Sequence, residues 1–148
     1  MADFGTRIVV DLPFEQALGA VAHAVRDEGL ALIATIDVRE HFRRTLGRDF
    51  RQHAVIEVWS PEAAFDALQY DLTAATIVLT MLAIFELADG ETAVVARHGL
   101  PSGVTARTWR RQHRALADAV DRERARISRV FARLQHHPRP EGAAAHAA

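Results

Sequence analysis

From position 105 to position 135 the chain runs 31 residues without a glycine or a proline. Nothing in such a run stops a helix, and Ala, Arg, Leu, Gln and Glu within it favour one. Trp109, His113, Leu116, Val120, Glu123, Ile127, Val130 and Leu134 recur at alternating spacings of four and three. This is an a/d seam with two polar breaks, His113 and Glu123, and Phe131 widens it near the end. A continuous helix of that length measures about 46 Å, against about 30 Å for the width of a small domain. It must run past its own domain or bend. The expectation is a dimer arm, or a cover over the neighbouring subunit's sheet, with Trp109, Leu116, Val120, Ile127, Val130 and Leu134 at the interface.

The rest of the chain alternates between two periods. Residues 6–12 place Ile8, Val10 and Leu12 on one side, which is a half-buried strand. Pro13 then opens a helix with Phe14, Leu18, Val21 and Val25 in one stripe, closed by Gly29. Residues 30–36 form a second strand stopped at Asp37, and 38–46 a short helix ended by Gly47. A third strand covers 54–59. Ser60-Pro61-Glu62 is a helix start, with Ser as cap, Pro in the first turn and an acid at the positive dipole end. A long strand follows over 76–87, then a hairpin at Asp89-Gly90 and a last strand over 92–97. The order β-α-β-(α)-β-α-β-β is an α+β sandwich of ferredoxin-like, split-βαβ type. Residues 1–103 make that domain, 104–137 the arginine-rich helix, and 138–148 a Pro/Gly/Ala tail expected to be disordered.

Composition excludes several chemistries. With no cysteine there are no disulfides, thiolate nucleophiles or zinc fingers. All 18 basic residues are arginine, so lysine Schiff bases and phosphate-loop lysines are absent too. Formal net charge is −1, but residues 1–103 hold 8 arginines against 15 acids and residues 104–139 hold 10 against 3. The basic helix therefore matches an acidic body, and this favours self-association over nucleic acid, for which there is no helix-turn-helix and no exposed aromatic stack. The N-terminus reads as neither signal nor transit peptide, and the apolar stretch 77–87 is too short to span a bilayer. A cytoplasmic protein with no membrane contact is expected.

Several short motifs resemble one bacterial family. They are Ile36-Asp37-Val38, then Leu46-Gly47-Arg48-Asp49-Phe50, then Val58-Trp59-Ser60-Pro61 with Ala64 and Leu68, and finally Asp71 and the strand to Phe85-Glu86. Over residues 4–100 the chain is similar to the domain-of-unknown-function 302 family. The resemblance implies a βαββαβ sandwich that forms dimers, and assigns no activity. Two family cysteines are missing: the usual Cys-Asn-Pro stands here as Trp59-Ser60-Pro61, and the usual Pro-Cys as Leu79-Thr80. A thiol or metal role resting on them cannot transfer. The C-terminal helix lies outside the pattern.

In this fold one sheet face is left open, and alternation makes both faces of the central strands apolar. A second subunit, the C-terminal helix or a ligand is expected to cover the open one. If the strands are in register, Glu57, Trp59, Thr80 and Glu86 share a face. A carboxylate there would be pushed up in pKa and serve as general acid or base, and Trp59 would stack on a small apolar or planar ligand. No histidine pair has metal-ligand spacing; His23, off the Phe14–Val25 stripe, is the candidate for a single axial ligand to haem. Two readings stand: a homodimeric ligand-binding or interaction module using the open face and the helix, and a small enzyme or haem-type sensor with its site on that face.

Overall fold

A computed structural model describes residues 5–88, 90–97 and 104–136. The linker expected at 100–103, the tail 138–148 and Asp89 of the hairpin turn lie outside the described residues. The elements are β1 (Gly5–Val10), α1 (Phe14–Asp27), β2 (Ala31–Asp37), α2 (Val38–Leu46), β3 (His53–Trp59) and α3 (Pro61–Tyr70). A 3₁₀ turn (Leu72–Ala74) follows, then α4 (Ala75–Val78), β4 (Thr80–Ala88), β5 (Glu91–Arg97), α5 (Val104–Gln112) and α6 (Arg114–Gln135). Their ends follow local chemistry. Ser60 caps α3, its hydroxyl accepting from the Ala63 amide, with Pro61 at the first helical position. Asp37 caps α2 by accepting from the Glu40 amide. Gly29 and Gly47, at φ of 70° and 64°, leave α1 and α2 through the left-handed region that a Cβ disfavours.

The five strands form one antiparallel sheet in the order β1-β5-β4-β3-β2. The α+β class expected from the sequence is what forms, with the large helices on one face. Its strand order is more particular than the expectation. β1 and β2 run parallel at opposite edges, so β1-α1-β2 is one split βαβ unit straddling three strands. The second pass is not a crossover. β3 ends at Trp59 beside the start of β4, Val58 opposite Thr80, so α3, the 3₁₀ turn and α4 form a helical excursion at one end of the sheet. The strand expected from residue 76 begins only at Thr80. Asp71 accepts from the Thr73 amide at 2.8 Å and starts the turn, and Val78 is then buried against Leu116 and Val120 of α6. A short apolar run does not tell helix from strand by periodicity alone, and here packing decides.

Two hydrophobic clusters result. One fills the space between the sheet (Ile8, Ile56, Leu82, Ile84, Val94), the α1 stripe and Ile127, Val130, Phe131 and Leu134 of α6. The other joins Ala63, Ala64 and Ala67 of α3 and Val78 of α4 to Leu116, Ala119 and Val120 of α6.

The C-terminal helix therefore covers its own chain. Leu116, Val120, Ile127, Val130 and Leu134, expected to seat a partner, are buried in these clusters, and Trp109 packs half-buried against the second. The helix also bends, at His113 (φ −123°, ψ 54°). There the ring packs on Trp109, and the Tyr70 hydroxyl lies 3.1 Å from Nδ1. The 22 residues of α6 span about 33 Å, a length the domain can cover. The charge split is met within the chain as well. Arg122 pairs with Asp66, Arg126 with Glu62, and Arg129 and Arg133 with Glu28. Arg129 and Arg133 hold the Glu28 carboxyl below its ordinary pKa. Among the described residues no helix is long and apolar enough to cross a membrane.

Because α6 completes both clusters, Phe131→Ala is expected to cost about 3–5 kcal/mol, read as a lower urea midpoint at unchanged slope. A chain ending at residue 103 is expected to show no cooperative unfolding transition by circular dichroism. Native-like melting of that truncated chain would contradict the packing described.

Candidate functional site

The seam of α6 carries one residue that does not belong in a hydrophobic stripe. Glu123 is 3% exposed and, among the described residues, is the one charged side chain that is buried. It lies between the two clusters, where the apolar contacts of α6 pass from the α3–α4 excursion to the sheet. One carboxylate oxygen accepts from the Thr80 hydroxyl at 2.5 Å, the other from the Ser60 amide at 3.2 Å. Ser60 is where the chain leaves β3 for α3, and Thr80 is where it enters β4. Glu123 thus ties together the two ends of the excursion, residues 20 apart in sequence that the pairing of β3 with β4 brings close together. Burial raises its pKa from the ordinary glutamate value, and these two hydrogen bonds only partly offset that.

The carboxyl also borders a cavity of about 310 Å³ between α6, α4 and the β1–β5 side of the sheet. Ile8, Ile77, Val120, Ile127 and Phe131 supply apolar wall, and Thr80, Arg124 and Gln135 supply polar groups. A largely apolar cavity with a few convergent polar groups and one perturbed carboxyl is the usual form of a small-molecule site.

The four residues expected to share the open face are separated. Directly opposed residues of an antiparallel pair project to the same side. Glu57 stands opposite Met81, and Val58 opposite Thr80, so Glu57 projects to the open face and Thr80 to the helical one, into the cavity. Glu57 borders a smaller hollow of about 120 Å³ with Met81, Thr76, Leu79 and Arg97. Trp59, at the strand end, packs against the α3–α4–α6 cluster. Glu86 is opposite Thr92 beside a bulge in β4, and its carbonyl accepts from Arg51 at 3.5 Å. His23 lies on α1, which covers the helical face; its side chain is 75% exposed and sits 3.4 Å from Asp27. The structure brings it to neither the open face nor the cavity. Among the described residues no cluster of three or more His, Asp or Glu is placed to hold a metal ion.

Of the five residues expected at a ligand or haem site, Thr80 alone meets the cavity. Its partner Glu123 was visible in the sequence as a polar break in the seam. Its significance was not, because Ser60 and Thr80 reach it from 63 and 43 positions away.

The open face keeps an apolar strip. Val9 and Met81 are exposed there, and Val55, Ala83, Phe85 and Val95 are half-buried. One end is roofed by α2 and the segment after it, where Phe42, Phe50, His53 and Phe85 contact in series. Burial there lowers the His53 pKa, with Arg51 adding to it.

The model of the family described as "Domain of unknown function DUF302" matches residues 6–134. It therefore includes α5 and α6, which the sequence motifs had left outside the resemblance. A crystal structure of an uncharacterized conserved DUF302 protein from Bacillus stearothermophilus is similar at a TM-score of 0.70 and 19% identity, over 90% of this chain and 99% of the other. At that identity the likeness speaks for the fold. No curated protein matches the chain. A family model that spans both the sheet and the covering helix makes this chain a member of the DUF302 family.

Proposed function

We propose that this chain is a small-ligand-binding module that pairs with a second copy of itself. One observation carries the ligand site: a buried carboxyl, Glu123, on the wall of an apolar cavity of about 310 Å³. Natural ligand cavities run from roughly 300 to 1,000 Å³, so the space suits a compact molecule. In this reading the ligand lies under α6, on the opposite side of the sheet from where the strand pattern pointed.

The dimer reading rests on the open face. The exposed Val9 and Met81, with the half-buried Ala83 and Val95 between them, form a contiguous apolar strip of a kind monomers seldom leave bare. The same strip on two copies is self-complementary about a two-fold axis. The α6 seam is not available for this role, being buried in its own chain. Nor do the arginines of α6 favour nucleic acid, since four of its six are paired to acids of the same body.

A second reading, a small enzyme, is favoured by the same carboxyl. A Glu whose pKa is raised by burial is shifted toward the range of a general acid, and Thr80 supplies a hydroxyl beside it.

Two outcomes follow. In sedimentation, Met81→Arg is expected to convert dimer to monomer while leaving the far-ultraviolet spectrum unchanged; a wild-type chain that sediments as a monomer would sink the pairing. For Glu123 the sign is set by its raised folded pKa. The neutral form is favoured in the folded state, so the stability linked to this group is complete below the unfolded value near 4.5 and is lost as pH rises through the folded value. Urea unfolding across that window should show wild type losing stability relative to Glu123→Gln as pH rises. His53, present in both, cancels in the difference. Parallel profiles would mean that Glu123 titrates as an ordinary surface acid.

A further inference from the structure

We infer that a second copy of the chain docks on the open face with the two-fold axis along β4, so that Glu57 of each subunit pairs with Arg97 of the other. The inference deepens the pairing reading and rests on it.

Strand order and register carry the case. β4 is the central strand of the five, with β3 and β2 on one side and β5 and β1 on the other. Glu57 of β3 stands opposite Met81 of β4. Ala96 of β5 stands opposite Leu82, so the next residue, Arg97, comes level with Met81 from the other side. Glu57, Met81 and Arg97 therefore form one row on the open face, with an acid and a base about 5 Å to either side of the central strand. All three border the hollow of about 120 Å³. Among the described residues neither the Glu57 nor the Arg97 side chain makes an ion pair or a hydrogen bond.

A two-fold axis along β4 lays β3 of one copy over β5 of the other. Met81 then meets Met81 of the partner subunit, and each Glu57 lies over Arg97 of the partner subunit, so two ion pairs form at once. The neighbouring row matches apolar groups in the same way. Val55 and Val95 both stand opposite Ala83, and the axis brings them face to face across the interface. Packed sheets keep their strand directions within about 30°, which a two-fold along a strand satisfies. An axis across the strands at this row would instead set Glu57 on Glu57 and Arg97 on Arg97, and like charges brought together oppose docking. Charge thus selects between axes that the apolar strip alone leaves equal. Helix α2, which roofs one end of the face, packs on β2 and β3. The axis along β4 sets it over the partner's β5 and β1, on the side where Val9 is exposed, and not against the partner's α2.

Sedimentation of the full-length protein tests the pairs by charge reversal. Glu57→Arg and Arg97→Glu each oppose like charges in both pairs, and each should weaken pairing at least about ten-fold. An equimolar mixture of the two variants should restore it, because each chain then meets opposite charges on the other. The double variant Glu57→Arg/Arg97→Glu should pair with itself nearly as well as wild type. Urea midpoints check that each variant is folded. If a reversal unfolds the chain, Glu57→Gln and Arg97→Gln take its place, each weakening the pairing and their combination no weaker than either alone. Single variants that pair like wild type, or a mixture of reversals that stays monomeric, overturn the inference and leave pairing through the apolar strip standing. A monomeric double variant beside a mixture that pairs overturns the axis along β4, since Glu57 would then face Glu57. A wild-type chain that sediments as a monomer overturns the inference and the pairing reading together.

Discussion

Helix α6 closes two hydrophobic clusters at once, and the remaining parts of the fold depend on that double contact. Its C-terminal half supplies Ile127, Val130, Phe131 and Leu134 to the main core, and its N-terminal half supplies Leu116, Ala119 and Val120 to the core of the α3–α4 excursion. Without it the sheet would lose cover over the β1–β5–β4 region, and the excursion would keep only its alanines, Val78 and the half-buried Trp59 and Ile77 to hold it. Apolar area removed from water is the main driving term here. The surface ion pairs around the helix add little individually, but they set its orientation, since Glu28, Glu62 and Asp66 lie along the side that its paired arginines face.

Between the two clusters the stripe is interrupted by Glu123. A buried carboxyl in a hydrophobic seam costs free energy unless it is hydrogen-bonded. Its two partners are the entry and exit of the excursion. The same residue thus has a structural role, closing the excursion onto the sheet, and a chemical one, presenting a perturbed carboxyl to the cavity. The two roles are compatible because each oxygen has one protein donor and retains a second lone pair.

Much of the scaffold was legible. Ser60-Pro61, Asp37, Gly29 and Gly47 act as stop and start signals through chemistry within a few residues, so their roles survive folding unchanged. The strands at Ile8–Val10 and Val55–Trp59 follow period two for the same reason. The segment 76–79 misled because four apolar or β-branched residues fit either period. The C-terminal run was legible as helix but not as two helices, because the His113 bend answers to Tyr70 and Trp109. The site was legible only in fragments. Thr80 and Glu123 each stood out, but nothing local joined them, and a one-residue difference in parity sent Glu57 to the opposite face from Thr80.

What the sequence determined alone is therefore the set of elements, their caps, the amphipathic stripe of α6 and the opposition of an acidic body to a basic helix. These depend on neighbours within one or two turns. Tertiary structure decided which surface the stripe would cover, which acids the arginines would meet, and where a cavity would remain. A helix tethered to its own domain meets that domain's sheet at high effective concentration, so a seam that reads as intermolecular closes within the chain. The cavity remains where that closure is incomplete, between α6 and the β1–β5 edge.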